Sequence, residues 1–165
     1  MLYAGTFSKS IFPALRLGYL VVPKQLVGVF RSVKALLDAG CSTLPQLALA
    51  DFIRGGHFER HLRRSRAANA ARRQSLLEAL DQHVGDRGRL AGSEAGLHVL
   101  LWLPGTSFSQ TADVCREAAK IGVGVYSAGP CFSMPPPTAG LLLGYASLTE
   151  REITEGIRRL ASVLP

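Results

Sequence analysis

Residues 4–19 read AGTFSKSIFPALRLGY. Leu2 to Gly5 has the character of a short strand, and Lys9 falls just past its end, flanked by the hydroxyls of Thr6, Ser8 and Ser10. Pro13 bends the chain, Arg16 follows seven residues after the lysine, and Gly18 lets another group approach the backbone closely. Arg16 to Val22 (RLGYLVV) is a second strand, stopped by Pro23. Two strands thus bracket a loop that holds one amine, three hydroxyls and one guanidinium.

That set of groups has a specific chemical use. Hydroxyls and a forked guanidinium suit a phosphate dianion, and a lysine amine in such company can form a Schiff base with an aldehyde. An aldehyde and a phosphate on one small molecule describe pyridoxal 5′-phosphate (PLP). The bare SK-x6-R spacing serves a solvated lysine and a salt-bridging arginine on a turn equally well, so chemistry alone leaves both open.

The whole string resembles the lysine segment of fold-type I, PLP-dependent aminotransferases of class I/II. The match comprises a hydroxyl three residues before Lys9, Ser8 directly before it, then Pro13, Arg16 and Gly18. The resemblance implies that Lys9 is the catalytic, Schiff-base lysine and that Thr6, Ser8 and Arg16 hold the cofactor phosphate. It extends over essentially the whole chain. Residues 5–23 (GTFSKSIFPALRLGYLVVP), 49–66 (LADFIRGGHFERHLRRSR), 94–104 (EAGLHVLLWLP) and 141–160 (LLLGYASLTEREITEGIRRL) are similar to the MocR branch of the GntR-type regulators. Those proteins join an N-terminal winged-helix DNA-binding domain to an aminotransferase-like domain.

The expected fold class is α/β, a piece of the PLP-dependent transferase fold. Lys24 to Leu37 carries apolar residues at helical spacing, Ser42 or Thr43 can cap a second helix, and a long helix runs from about His57 to Val84. Strands are expected at 97–103, 123–127 and 141–146, with helices at 109–121 and 149–163. Thr149-x-x-Glu152 reads as a capping box. By resemblance, residues 1–69 are the end of the large domain with the Schiff-base lysine, and 70–165 are the small C-terminal domain. The family's glycine-rich phosphate turn, ring-stacking aromatic and pyridine-pairing Asp are expected before residue 1, as is the winged helix. The chain therefore reads as a truncated fragment.

One position departs from the family. Class I aminotransferases carry an Arg for the substrate carboxylate in a string like LRLGF; here the string is LLLGY, and Leu142 stands in that place. A leucine cannot pair with a carboxylate. The resemblance implies a PLP-binding, aminotransferase-like effector domain of a GntR/MocR-type transcriptional regulator. The alternative is a fragment of an active aminotransferase, in which Lys9 also moves the proton.

Composition bounds the rest. The chain has 165 residues, 47% hydrophobic and 19% charged, with a net charge of +7. These values suit a globular domain with its own core, not a disordered one. No apolar run approaches a bilayer span, and the start MLYAGTFSKS lacks the pattern of a signal peptide. Cys41, Cys115 and Cys131 are widely spaced, and no CxxC or Cys/His cluster suggests zinc. A cytoplasmic setting is expected. Arg54, Arg60, His61, Arg63, Arg64, Arg66, Arg72 and Arg73 read as a solvated or subunit-facing helix. His98 reads as a structural histidine, and Cys131 as part of a loop flanking the site. Expected partners are PLP or an amino-acid-like small molecule, a second copy in an intact homodimer, and DNA only through a domain outside this chain.

Overall fold

The computed structural model describes residues 1–94 and 96–165; Ala95, inside the quoted EAGLHVLLWLP, lies outside the described residues. The chain divides into two compact units, Met1–Arg64 and Ser65–Pro165.

In the first unit, β1 (Tyr3–Thr6) and β2 (Gly18–Val21) form an antiparallel hairpin in which Gly5 faces Tyr19 and Thr6 faces Gly18. Both glycines are required by close approach. A Cβ on Gly18 would fall 2.8 Å from the Gly5 carbonyl oxygen, and one on Gly5 would enter the Tyr19 ring. Helices α1 (Val27–Asp38) and α2 (Thr43–Arg54) follow, and then the first turns of α3 (His57–His83). Ala39 takes the left-handed position that ends α1. Among the described residues of this unit only Leu49 is buried, while Leu36, Leu37 and Leu44 are 85%, 78% and 76% exposed.

The second unit has a real core. Its sheet runs β3-β4-β6-β5, entirely antiparallel, from β3 (Arg89–Ala91), β4 (His98–Ser107), β5 (Tyr126–Ser127) and β6 (Thr138–Gly144). Alternate residues point to one face, as the two-residue period requires. Val99, Leu101 and Leu103 pair with Leu143, Leu141 and Ala139, and all six are buried. Against them pack Leu76, Ala79 and Leu80 of α3, Val114 and Ala118 of α4 (Thr111–Lys120), and Ile153, Ile157 and Leu160 of α5 (Glu150–Ala161). The result is a two-layer α/β unit. The expected capping box is present: the Glu152 amide donates to the Thr149 hydroxyl at 3.3 Å, and the Thr149 amide donates to the Glu152 carboxylate at 2.7 Å.

Strand boundaries differ from the sequence expectation for local reasons. β4 continues past Leu103 through Pro104 and a left-handed Gly105, with a register shift between Leu103 and Ser107. β5 begins only at Tyr126, because left-handed Gly122 turns the chain and the Val123 amide still donates to the carbonyl of Ala118 at the end of α4. β6 begins at Thr138, directly after the proline run. The three-residue β3 was not expected, being too short to show a period. The basic stretch splits in two. Arg60, Arg63, Arg64 and Arg66 are exposed. Arg72 and Arg73 instead donate to the carbonyls of Ala146 and Glu94 at 2.7 and 2.6 Å, and so tie α3 to two loops.

Candidate functional site

The lysine loop hangs between β1 and β2, and its own polar groups shape it. The Phe7 amide donates to the Leu17 carbonyl at 3.0 Å, continuing the hairpin by one rung. The Ile11 amide then donates back to the Phe7 carbonyl at 2.8 Å, closing a tight turn around residues 8–10. The Ser8 amide donates to Thr6 Oγ1 at 3.1 Å, and Thr6 Oγ1 in turn donates to Ser8 Oγ at 3.0 Å. This local side-chain-to-backbone bonding is what Thr and Ser do at turns. It places two of the hydroxyls in contact on one side of the loop.

Lys9 is exposed at the tip of that turn, Thr6 is exposed and Ser8 is half-buried. Arg16 is exposed at the far end of the loop, in a left-handed conformation with φ 51 and ψ 32. Its amide donates to the Pro13 carbonyl at 3.2 Å, so the Pro13–Leu15 turn sets its place. A non-glycine residue in this region costs about 1 kcal/mol or more and marks a position held by its surroundings. Ser10 is drawn inward, its hydroxyl donating to the Phe7 carbonyl at 3.3 Å.

Residues that the sequence reading did not assign to the site complete the surroundings. Phe7 contacts Tyr19 with ring centroids 5.6 Å apart, and meets Phe58 of α3 edge-on at 5.8 Å. His61, one turn further along α3, has Nε2 at 3.0 Å from the Ser10 carbonyl oxygen. The only sequence signal for these contacts was the i, i+3 spacing of Phe58 and His61, which means nothing until the loop is known to lie beside them.

In the second unit, Leu142 is half-buried on the sheet face opposite the core, paired in register with Leu100 and Tyr126. Trp102 lies over Gly140 on the same face and contacts the Phe132 ring at 5.7 Å. His98 sits beside Gly144 and is exposed; Cys131 is exposed. Burial raises the Cys115 thiol pKa, which makes it a poorer nucleophile. Among the described residues, no helix is long and apolar enough to cross a membrane.

Comparison with known proteins identifies the family and the fold. The family model described as aminotransferase class I and II matches residues 1–160. The uncharacterized HTH-type transcriptional regulator YdeL of Bacillus subtilis is 35% identical over 97% of this chain, and the match covers 34% of that protein. The protein named probable rhizopine catabolism regulatory protein MocR, of Rhizobium meliloti, is 35% identical over 98% of the chain and 32% of its own length. The crystal structure of LysN, alpha-aminoadipate aminotransferase of Thermus thermophilus, complexed with N-(5′-phosphopyridoxyl)-L-leucine, superimposes with a TM-score of 0.85 at 30% identity. That match covers 99% of this chain and 41% of LysN. The chain thus spans about a third of the length of the curated regulators it matches.

Proposed function

This chain belongs to the aminotransferase class I and II family, a family of PLP-dependent proteins, and from that premise we propose that it forms the PLP-binding effector part of a GntR/MocR-type transcriptional regulator. The observation that carries the reading is the lysine turn. An exposed amine on Lys9 stands at the tip of a loop whose Thr6 and Ser8 hydroxyls lie 3.0 Å apart, with the cationic Arg16 at its other end. Amine, hydroxyl pair and guanidinium fit the functional groups of the cofactor, an aldehyde and a phosphate dianion.

In this reading the Lys9 amine holds the cofactor covalently, the Thr6 and Ser8 hydroxyls donate to phosphate oxygens, and Arg16 neutralises the dianion. When bound, PLP supplies the reactive aldehyde and an electron sink for the α-carbon of an amino acid. Residues 1–69 then represent the end of a large domain and 70–165 a small domain. DNA contact is assigned to a winged helix outside residues 1–165, and homodimerisation to the full-length protein.

The likeness to LysN supports a second reading, that of an aminotransferase whose Lys9 also shuttles a proton. Leu142 favours the regulator. It stands where the family's carboxylate-binding arginine is expected, among apolar neighbours that offer a carboxylate no charge. The test of the common premise is borohydride trapping at millimolar PLP, followed by peptide mapping. Label concentrated on Lys9 over Lys24, Lys34 and Lys120, and abolished from that peptide by Lys9→Ala, supports it. Equal label on all four lysines refutes it.

A further inference from the structure

The lysine turn is gripped from both sides by one face of a helix. Phe58 and His61 are three residues apart on α3, hence on the same face. Phe58 meets the ring of Phe7, two residues before Lys9. His61 meets the carbonyl of Ser10, one residue after it. Phe58, His61, Phe7 and Ser10 are all half-buried, while Lys9 between the two grips is exposed. The flanks are therefore fixed and the amine is left accessible.

The His61 contact has a defined polarity. A carbonyl oxygen only accepts, so Nε2 must carry the proton and donate. The recipient carbonyl belongs to the Ser10–Ile11 peptide, whose N–H closes the turn by donating to Phe7 at 2.8 Å. One peptide unit is thus held at both ends, its N–H by the loop and its C=O by the helix. A peptide held twice cannot rotate, and Lys9 is the residue next to it. The Thr6–Ser8 hydroxyl contact secures the other side of the turn at 3.0 Å.

We infer that His61 is a positioning residue for Lys9: its Nε2–H bond to the Ser10 carbonyl, together with the Phe58–Phe7 contact, sets where the lysine amine stands. The inference rests on the reading of Lys9 as the cofactor lysine for its consequence, but not for its geometry. It assigns to the helix opening His57-Phe58-Glu59-Arg60-His61 a role in the site that its sequence, a basic solvated helix, does not suggest.

The test compares His61→Gln with His61→Asn in the full 165-residue chain. A Gln amide nitrogen can occupy the place of Nε2 and still donate; an Asn nitrogen is too short and corresponds to Nδ1. Two reagents report on Lys9, each against Lys24 as the exposed internal reference: PLP with borohydride, and acetic anhydride, which needs no cofactor site. Hydrogen exchange reports on the Ile11 amide, with Val99 in the second unit as reference.

The expected result follows from the worth of one hydrogen bond. His61→Asn lowers the Lys9-to-Lys24 labelling ratio with PLP about tenfold and speeds Ile11 exchange by a similar factor, while His61→Gln stays within about threefold of wild type on both. Acetic anhydride should show the same ranking. The inference is overturned if His61→Asn leaves both readouts unchanged. It is also overturned if exchange at Ile11 quickens but neither labelling ratio moves, for His61 would then be structural only. Equal damage by Gln and Asn overturns it too. If wild-type Lys9 shows no preference for PLP over Lys24, yet His61→Asn still shifts the acetic anhydride ratio, the cofactor reading falls and the positioning role stands. Should His61→Asn lose the far-ultraviolet circular dichroism of wild type, Phe58→Leu decides. It removes the ring edge while keeping an apolar side chain, and an unchanged Lys9 ratio in it overturns the two-point grip.

Discussion

The ring of Tyr19 lies across Gly5, its partner in the hairpin register: a Cβ at residue 5 would fall on the Tyr19 ring carbons Cζ and Cε1. No side chain can be added there without moving the ring. Tyr19 in turn contacts Phe7, two residues before the lysine, so the absence of an atom at Gly5 supports the loop that follows it.

Gly5→Ala is therefore expected to displace Tyr19 and loosen the lysine turn. Borohydride trapping should show the Lys9-to-Lys24 ratio falling several-fold, while Tyr19→Phe, which keeps the ring, stays near wild type. An unchanged ratio in Gly5→Ala would show that the hairpin does not support the turn.

The two units should differ in stability. Residues 1–64 bury one side chain and expose Val29, Val33, Leu47 and Ile53 along with the leucines of α1 and α2. Apolar faces with no cover contribute little to stability and promote association. Hydrogen exchange on the purified chain should find strong protection at Val99, Leu101, Leu141 and Leu143, and weak protection over 27–54. Equal protection in a monomer would refute this. Within the second unit, Leu101→Ala should cost about 2–5 kcal/mol in urea unfolding, since Leu101 is fully buried.

Trp102 is the single tryptophan, which makes its environment easy to read. A Cβ on Gly140 would lie 2.8 Å from the indole carbon Cζ3. Gly140→Ala should push the indole off the sheet and away from Phe132, with a red shift in emission and a loss of about 1–3 kcal/mol. Emission identical to wild type would mean that the ring had room to spare.

Acid should weaken the last helix. Arg158 and Arg159 hold the Glu155 carboxyl down at about 2, from an ordinary value of 4.5, and the Thr149 amide and hydroxyl lower Glu152. A depressed folded-state pKa gives stability that is present above the unfolded value and is lost as pH falls through the folded one. The contribution of Glu155 should therefore fade from about pH 4.5 down to about pH 2, and added salt should reduce it because the groups are exposed. Glu155→Gln should flatten that part of the unfolding profile; an unchanged slope would show that Glu155 contributes nothing there. Thr149→Ala should cost about 1 kcal/mol through loss of the cap.

Leu142 bears on chemistry. In the full-length protein, conversion of alanine, aspartate or glutamate to the oxo acid should be slow or undetectable. Leu142→Arg restores a charged partner worth about 1.5–3 kcal/mol, or about ten- to a hundredfold in amino-acid binding. Rapid turnover by the wild-type protein would favour the enzyme reading.

The amino-acid sequence by itself determined the family and most of the elements. A Lys with a hydroxyl at −3, Ser at −1, Pro at +4, Arg at +7 and Gly at +9 is legible because the whole pattern falls within one short stretch, residues 6–18. Helix α1 was legible because apolar residues recur at helical spacing over ten or more residues, α2 because Ser42 or Thr43 offers a start, and the capping box of α5 because its two residues bond to each other locally. What only tertiary structure decided involves residues far apart in the chain. His61 meets Ser10 across 51 positions, Arg72 meets Ala146 across 74, and Tyr145 donates to the Gly96 carbonyl across 49. Each pairs a side chain with a backbone carbonyl, and a carbonyl is the same in every residue, so nothing in the letters marks the partner. The same reason hid β3 and the start of β6. Short strands are fixed by the neighbour that offers hydrogen bonds, here β4, and not by their own pattern.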